Sequence, residues 1–152
     1  MTELQELFAH AAQHAAIIFR EKGELVPMFH AVLGNDQHAL IAAPWSDAEE
    51  KGKTIYVLRD LFRKKKVKRY VFIAEAWTVM APSLEQVGDY IGRMSEHPDR
   101  REVVTISAED RDGTNMMGYY FILRPEHSPA TLSPLHMSKA TEAIGQLMGM
   151  LR

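Results

Sequence analysis

The residues best suited to chemistry lie in two short stretches. Tyr70 to Met80 reads Tyr-Val-Phe-Ile-Ala-Glu-Ala-Trp-Thr-Val-Met, and His97 to Glu102 reads His-Pro-Asp-Arg-Arg-Glu. Divided by the two-residue period of a strand, Val71, Ile73, Glu75, Trp77 and Val79 share one face, and Tyr70, Phe72, Ala74, Ala76, Thr78 and Met80 share the other. Both faces are apolar enough for a central strand covered on both sides, and Glu75 interrupts one of them. A carboxylate buried there needs a cation or hydrogen-bond donors, or it keeps its proton at a raised pKa. Two readings follow. In one, Glu75 is a tuned acid or base, Arg100 or Arg101 clamps an anionic ligand, His97 carries protons, and Trp77 and Tyr90 wall the ligand in. In the other, a buried Glu–Arg pair fixes the register of the chain re-entering the sheet, and His97-Pro98-Asp99 is its turn. The second is the expected one, because interior ion pairs occur widely without catalysis. Glu75, Trp77, Tyr90, His97, Arg100 and Arg101 are therefore candidate ligand-binding residues, and no catalytic residue is assigned.

Other chemistries have less support. The chain has seven histidines and no cysteine, which excludes disulfides, thiolate nucleophiles and cysteine-based metal centres. His10 and His14 stand four apart on an expected helix and could chelate one ion. The His-Glu-x-x-His pattern that would make such a pair specific for zinc is missing, so no metal and no cofactor are expected. There is no Gly-x-Ser-x-Gly elbow, no Walker loop and no dinucleotide Gly-x-Gly-x-x-Gly. The run Arg63 to Arg69 carries six basic side chains on a chain of net charge −2. One local cluster on an otherwise acidic protein suits a helix end and a solvated loop better than a nucleic-acid footprint.

The elements that must position these residues are legible from periodicity. Residues 3 to 21 read as an amphipathic helix with Leu4, Leu7, Phe8, Ala11, Ala15 and Ile18 on one stripe, stopping at Gly23. Met28 to Leu33 and Gln37 to Ala42 read as a hairpin around Gly34-Asn35-Asp36. A second helix follows, with a capping box of Ser46 and Glu49, an inner stripe of Ile55, Leu58 and Phe62, and basic residues at its end. After the central strand, residues 83 to 95 read as a marginal helix or a flap. Glu102 to Glu109 and Thr114 to Arg124 form a second hairpin around Asp112-Gly113. A last helix is expected with Ser133 as cap and Pro134 at its first position, its stripe running through Met137, Ala140, Ile144, Leu147 or Met148, and Leu151. Met116 and Met117 beside Gly118 are the methionines expected on a contact surface.

The expectation is one α+β domain over residues 1–152, with a mainly antiparallel five-stranded sheet, in the order helix, two strands, helix, strand, flap, two strands, helix. That order is similar to the order in roadblock or profilin-like domains, which implies a fold and no function. The Pro-led hairpin, Glu75-Ala76-Trp77 and His97-Pro98-Asp99-Arg100-Arg101-Glu102 together resemble a family of small bacterial and phage-encoded proteins without an assigned function. The resemblance covers roughly residues 25 to 125. It implies that the two motif segments belong together, and it supplies no substrate.

With 46% hydrophobic and 25% charged residues, no membrane-length apolar run and an acidic first segment, a soluble cytoplasmic protein is expected. Two functions from different classes remain. The favoured one is a non-enzymatic interaction or regulatory module acting as a homo-oligomer, with a protein partner and neither nucleic acid nor membrane. The alternative is a small-ligand protein or weakly recognisable enzyme holding an anion near Glu75 and Arg100. The residues do not decide whether the chain is an enzyme.

Overall fold

The computed structural model describes residues 1–78, 94–138 and 150–151. Helix α1 spans Glu3–Lys22, one turn beyond the end of its apolar stripe. Thr2 and Gln5 close a reciprocal capping box at its start. Gly23, with φ 72°, ends it by donating its N–H to Phe19 at 2.7 Å. The first hairpin follows as β1, Met28–Val32, and β2, His38–Ala42. Its turn uses Asp36 in the left-handed region. Gly34 is needed for a different reason, since a Cβ there would meet the Lys66 Cβ at 2.9 Å.

Helix α2, Ala48–Lys64, buries the expected Ile55, Leu58 and Phe62. Its cap lies one residue later than the sequence pattern suggests. Asp47 accepts from the Glu50 N–H at 2.7 Å, and Ser46 instead donates its hydroxyl to the Glu50 carboxylate. The two short polar side chains are adjacent, and the one with extended backbone directly before the first helical residue takes the capping role.

Strand β3, Arg69–Thr78, pairs antiparallel with β1 on one side and with β4, Arg101–Asp110, on the other. Strand β5, Asn115–Leu123, follows a turn with Gly113 at φ 93° and pairs antiparallel with β4. Two short strands complete the sheet along β5: β6, Thr131–Leu132, and β7, His136–Ser138. The order is β2-β1-β3-β4-β5-β6, with β7 also against β5. The fold is thus α+β, with an antiparallel sheet of seven strands among the described residues, two more than expected.

Those two strands correct the reading of the chain's last third. Ser133 caps no helix: its N–H bonds to the Phe121 carbonyl and its Oγ accepts the Phe121 N–H, both at 2.9 Å. Met137 lies on β7, 54% exposed, and not on a helical stripe. The outer edge of β5 carries unpaired backbone groups that the returning chain satisfies, and this outweighs a local cap-and-proline signal. The rest of the expected helix, residues 139–149, lies outside the described residues, as do residues 79–93, which hold most of the expected flap and Tyr90.

The sheet divides two apolar layers. Helix α1 packs on the face that carries Val32, Val71, Ile73, Val104, Ile106, Ala108 and Ile122. Helix α2 packs on the other face against Phe29, Ala31, Tyr70, Phe72 and Ala74, where Phe29 sits within 4.6 to 6.0 Å, ring centre to ring centre, of Phe62, Tyr70 and Phe72. Met116, half-buried, packs against the α1 layer beside Gly118, which is buried under Phe8, while Met117, also half-buried, lies on the opposite face in register with Ser107 and Ser138. Among the described residues no helix is long and apolar enough to cross a membrane.

Candidate functional site

The sequence places a buried carboxylate at Glu75; the structure places Glu75 in the exposed part of its strand. The register explains why. Strand β1 ends its pairing with β3 at Met28 opposite Ile73, so among the described strands residues beyond Ile73 pair with β4 alone. Burial stops with Ala74, and Glu75, Ala76 and Trp77 are exposed. Glu75 accepts the Leu25 N–H at 3.1 Å, tying down the chain between α1 and β1. Its expected pairing with Arg100 or Arg101 does not form. The Arg100 guanidinium lies 5.2 Å from the centre of the Trp77 ring, and that of Arg101 lies 3.6 Å from the centre of Phe121.

The turn assigned to His97-Pro98-Asp99 does form. Arg100 donates its backbone N–H and a guanidinium N–H to the His97 carbonyl, both at 3.2 Å. His97 is buried, and its Nδ1 accepts the Asp99 N–H at 3.0 Å, so that lone pair is committed to the turn. Of the candidate residues the structure brings together Glu75 and Trp77, which line a shallow depression of about 220 Å³ with Ala76, Glu102 and Ile122, and places Arg100 over Trp77. Arg101 and His97 lie outside that depression, and Tyr90 outside the described residues. Glu102 is held by a forked pair with Arg124, which pushes the Arg124 guanidinium pKa further up. This end of the sheet presents an aromatic ring and two carboxylates, one of them paired with Arg124, with no aligned nucleophile and base among its described residues.

The buried carboxylate is Glu109, 2% exposed, opposite Tyr70 in the β3–β4 register. The basic run is largely spent on ion pairs. Arg63 and Lys64 meet Asp60, Lys68 meets Asp36, and Arg69 joins Asp110 and Glu3 at 2.9 and 2.8 Å. The pairing with Lys68 lowers the Asp36 pKa.

A larger feature lies at the opposite end of the sheet. A groove of about 780 Å³ runs between the first half of α1 and the β1–β2 hairpin. Leu7, Val32 and Leu40 supply its apolar lining, with Glu3, Glu6, Asp36 and Arg69 among its charged groups. Four histidines converge here. His10 and His14 on α1 have ring centres 6.1 Å apart, His10 and His30 5.8 Å, and His30 and His38 5.0 Å. His30 Nε2 and His38 Nδ1 share a hydrogen bond of 2.8 Å. Burial, and then the proximity of His38, His10 and His14, lowers the His30 pKa from its ordinary 6.5. Among the described residues no three histidine or acidic side chains surround a point where a metal ion could be held.

The sequence reading found only the His10–His14 half of this cluster. A signal for the other half was present: His30 and His38 flank the Gly34-Asn35-Asp36 turn with the same parity, which puts them on one face of the hairpin. No protein-family model, curated protein or solved structure matches the chain.

Proposed function

We propose that this protein is a non-enzymatic interaction module that self-associates through the outer edge of β2. The observation that carries the reading is that no strand among the described residues pairs with that edge. His38-Ala39-Leu40-Ile41-Ala42 contains no lysine, acid or proline, it is the terminal strand of the sheet, and Leu40 is 60% exposed. Soluble proteins ordinarily blunt such an edge with charge, proline, bulges or a covering element. The opposite side of the sheet is treated differently, since β6 and β7 cover β5.

The hydrogen-bond phase of the hairpin supports the geometry. Leu33 bonds to Gln37 and Ala43 to Pro27, so the alternation of an antiparallel ladder turns the N–H and C=O of His38, Leu40 and Ala42 away from β1. In a two-fold arrangement Leu40 exchanges both bonds with its copy, and His38 with the partner's Ala42. One self-complementary strand thereby extends the sheet across both protomers. The alternative, an anion held near Glu75 and Arg100, has weaker support, because the depression there is shallow and Arg100 is turned to Trp77.

Native mass spectrometry and light scattering at micromolar concentration test the proposal. Wild type is expected as a dimer. Leu40→Lys, which adds an edge charge, and Leu40→Pro, which removes an outward N–H while sparing the β1 ladder, are expected as folded monomers. A monomeric wild type, or dimers unchanged by both substitutions, overturns the reading.

A further inference from the structure

Four imidazoles in one chain of contacts, contributed by a helix and by both strands of a hairpin, are not required by the core. Both apolar layers close without them. Their arrangement has a property that no other cluster in the described structure shares: it depends on most of its members being neutral. In the His30–His38 bond one ring nitrogen donates and the other must keep its lone pair. One proton added to the pair is tolerated, because a cationic ring can still donate to a neutral one. A second turns both facing nitrogens into N–H donors 2.8 Å apart, and the contact cannot persist. His10 and His14 stand close enough to His30 to oppose each added charge.

We propose that His30 and His38, backed by His10 and His14 of α1, form a proton-operated clasp across the β1–β2 hairpin, closed while the pair carries at most one added proton and opened by a second. The clasp goes beyond self-association and does not depend on it. The His38 side chain is the moving part, since it is exposed, whereas His30 is half-buried on β1 between two strands. Its departure widens the groove over Leu7, Val32 and Leu40.

The charged groups around the cluster fit this role. From α1, Glu3 is committed to Arg69 of β3, which also holds Asp110. From the hairpin turn, Asp36 is committed to Lys68. Glu6 lines the groove one helical turn before His10 and offers a protonated His10 a carboxylate away from His30. The lowered His30 pKa agrees in direction, as burial and three neighbouring rings resist its charging.

The test is a titration of the histidine rings by NMR from pH 8 to pH 5, combined with hydrogen exchange of the backbone. His30 is expected to titrate below the ordinary imidazole value of 6.5. In His38→Gln its midpoint should move up as one opposing charge is lost. After correction for intrinsic rates, exchange over residues 30 to 41 is expected to rise several-fold between pH 7.5 and 5.5 in wild type, with β3 and β4 unchanged. A His30 midpoint at or above the ordinary 6.5, or one unmoved in both His38→Gln and His10→Gln, overturns the clasp. So does hairpin exchange that does not respond to pH. Monomeric wild type with a titrating clasp would overturn self-association alone.

Discussion

At the scale of single residues, the contrast between two glutamates carries the main lesson about charge in this sheet. Glu75 interrupts an apolar run but sits where β3 has outrun β1, so it is hydrated and accepts one backbone N–H. Glu109 looks unremarkable in the sequence, yet it is buried on the α2 side of the sheet. Glu75→Gln is therefore expected to change unfolding free energy by less than about 1 kcal/mol, because a carboxamide oxygen can still accept from Leu25. Urea denaturation measures this. A loss of roughly 3–5 kcal/mol would restore the buried-pair reading. His30 makes the second prediction at this scale. Its folded pKa lies below the unfolded 6.5, so the unfolded chain binds more protons in the interval between the two values. Stability contributed by neutral His30 is complete above pH 6.5 and is lost as pH falls through that interval. Thermal midpoints recorded from pH 7.5 to 5.5 should decline in wild type and decline less in His30→Gln.

At the scale of elements, caps and turns account for most boundaries. Thr2 with Gln5, Gly23, Asp36 and Gly113 each stop or start an element through contacts within a few residues. The start of α2 offers a sharp comparison, since Ser46 and Asp47 are chemically similar neighbours and only Asp47 accepts the first-turn N–H. Asp47→Ala is expected to cost about 1 kcal/mol, while Ser46→Ala costs less than half of that. Equal losses in chemical denaturation would show that the two residues share the cap. The elements the sequence misassigned, β6 and β7, are those whose conformation is set by a partner strand rather than by their own residues.

At the scale of the whole molecule, the sheet is asymmetric. One side ends in short strands laid along β5, and the other ends in an uncharged strand flanked by a large groove. Both proposals concern that second side. If Leu40→Lys yields a folded monomer, the functional surface belongs at the β2 edge. The groove then becomes part of, or adjacent to, the joint between protomers. The Glu75 end, which the sequence marks most strongly, would then be a structural corner where Leu25, Arg100 and Trp77 close the chain.

The sequence by itself determined what depends on near neighbours. It gave the apolar stripe of α1 and its glycine stop, the inner stripe of α2, both hairpins, and an α+β antiparallel architecture. These follow from side-chain period and turn chemistry, which act over a few residues. Only the tertiary structure decided what depends on where a distant strand ends. Because β1 stops opposite Ile73, Glu75 is exposed; because α1 crosses the hairpin, His10 meets His30. Strand parity assigns a residue to a face, but burial and convergence depend on what covers that face, and local pattern carries no information about coverage.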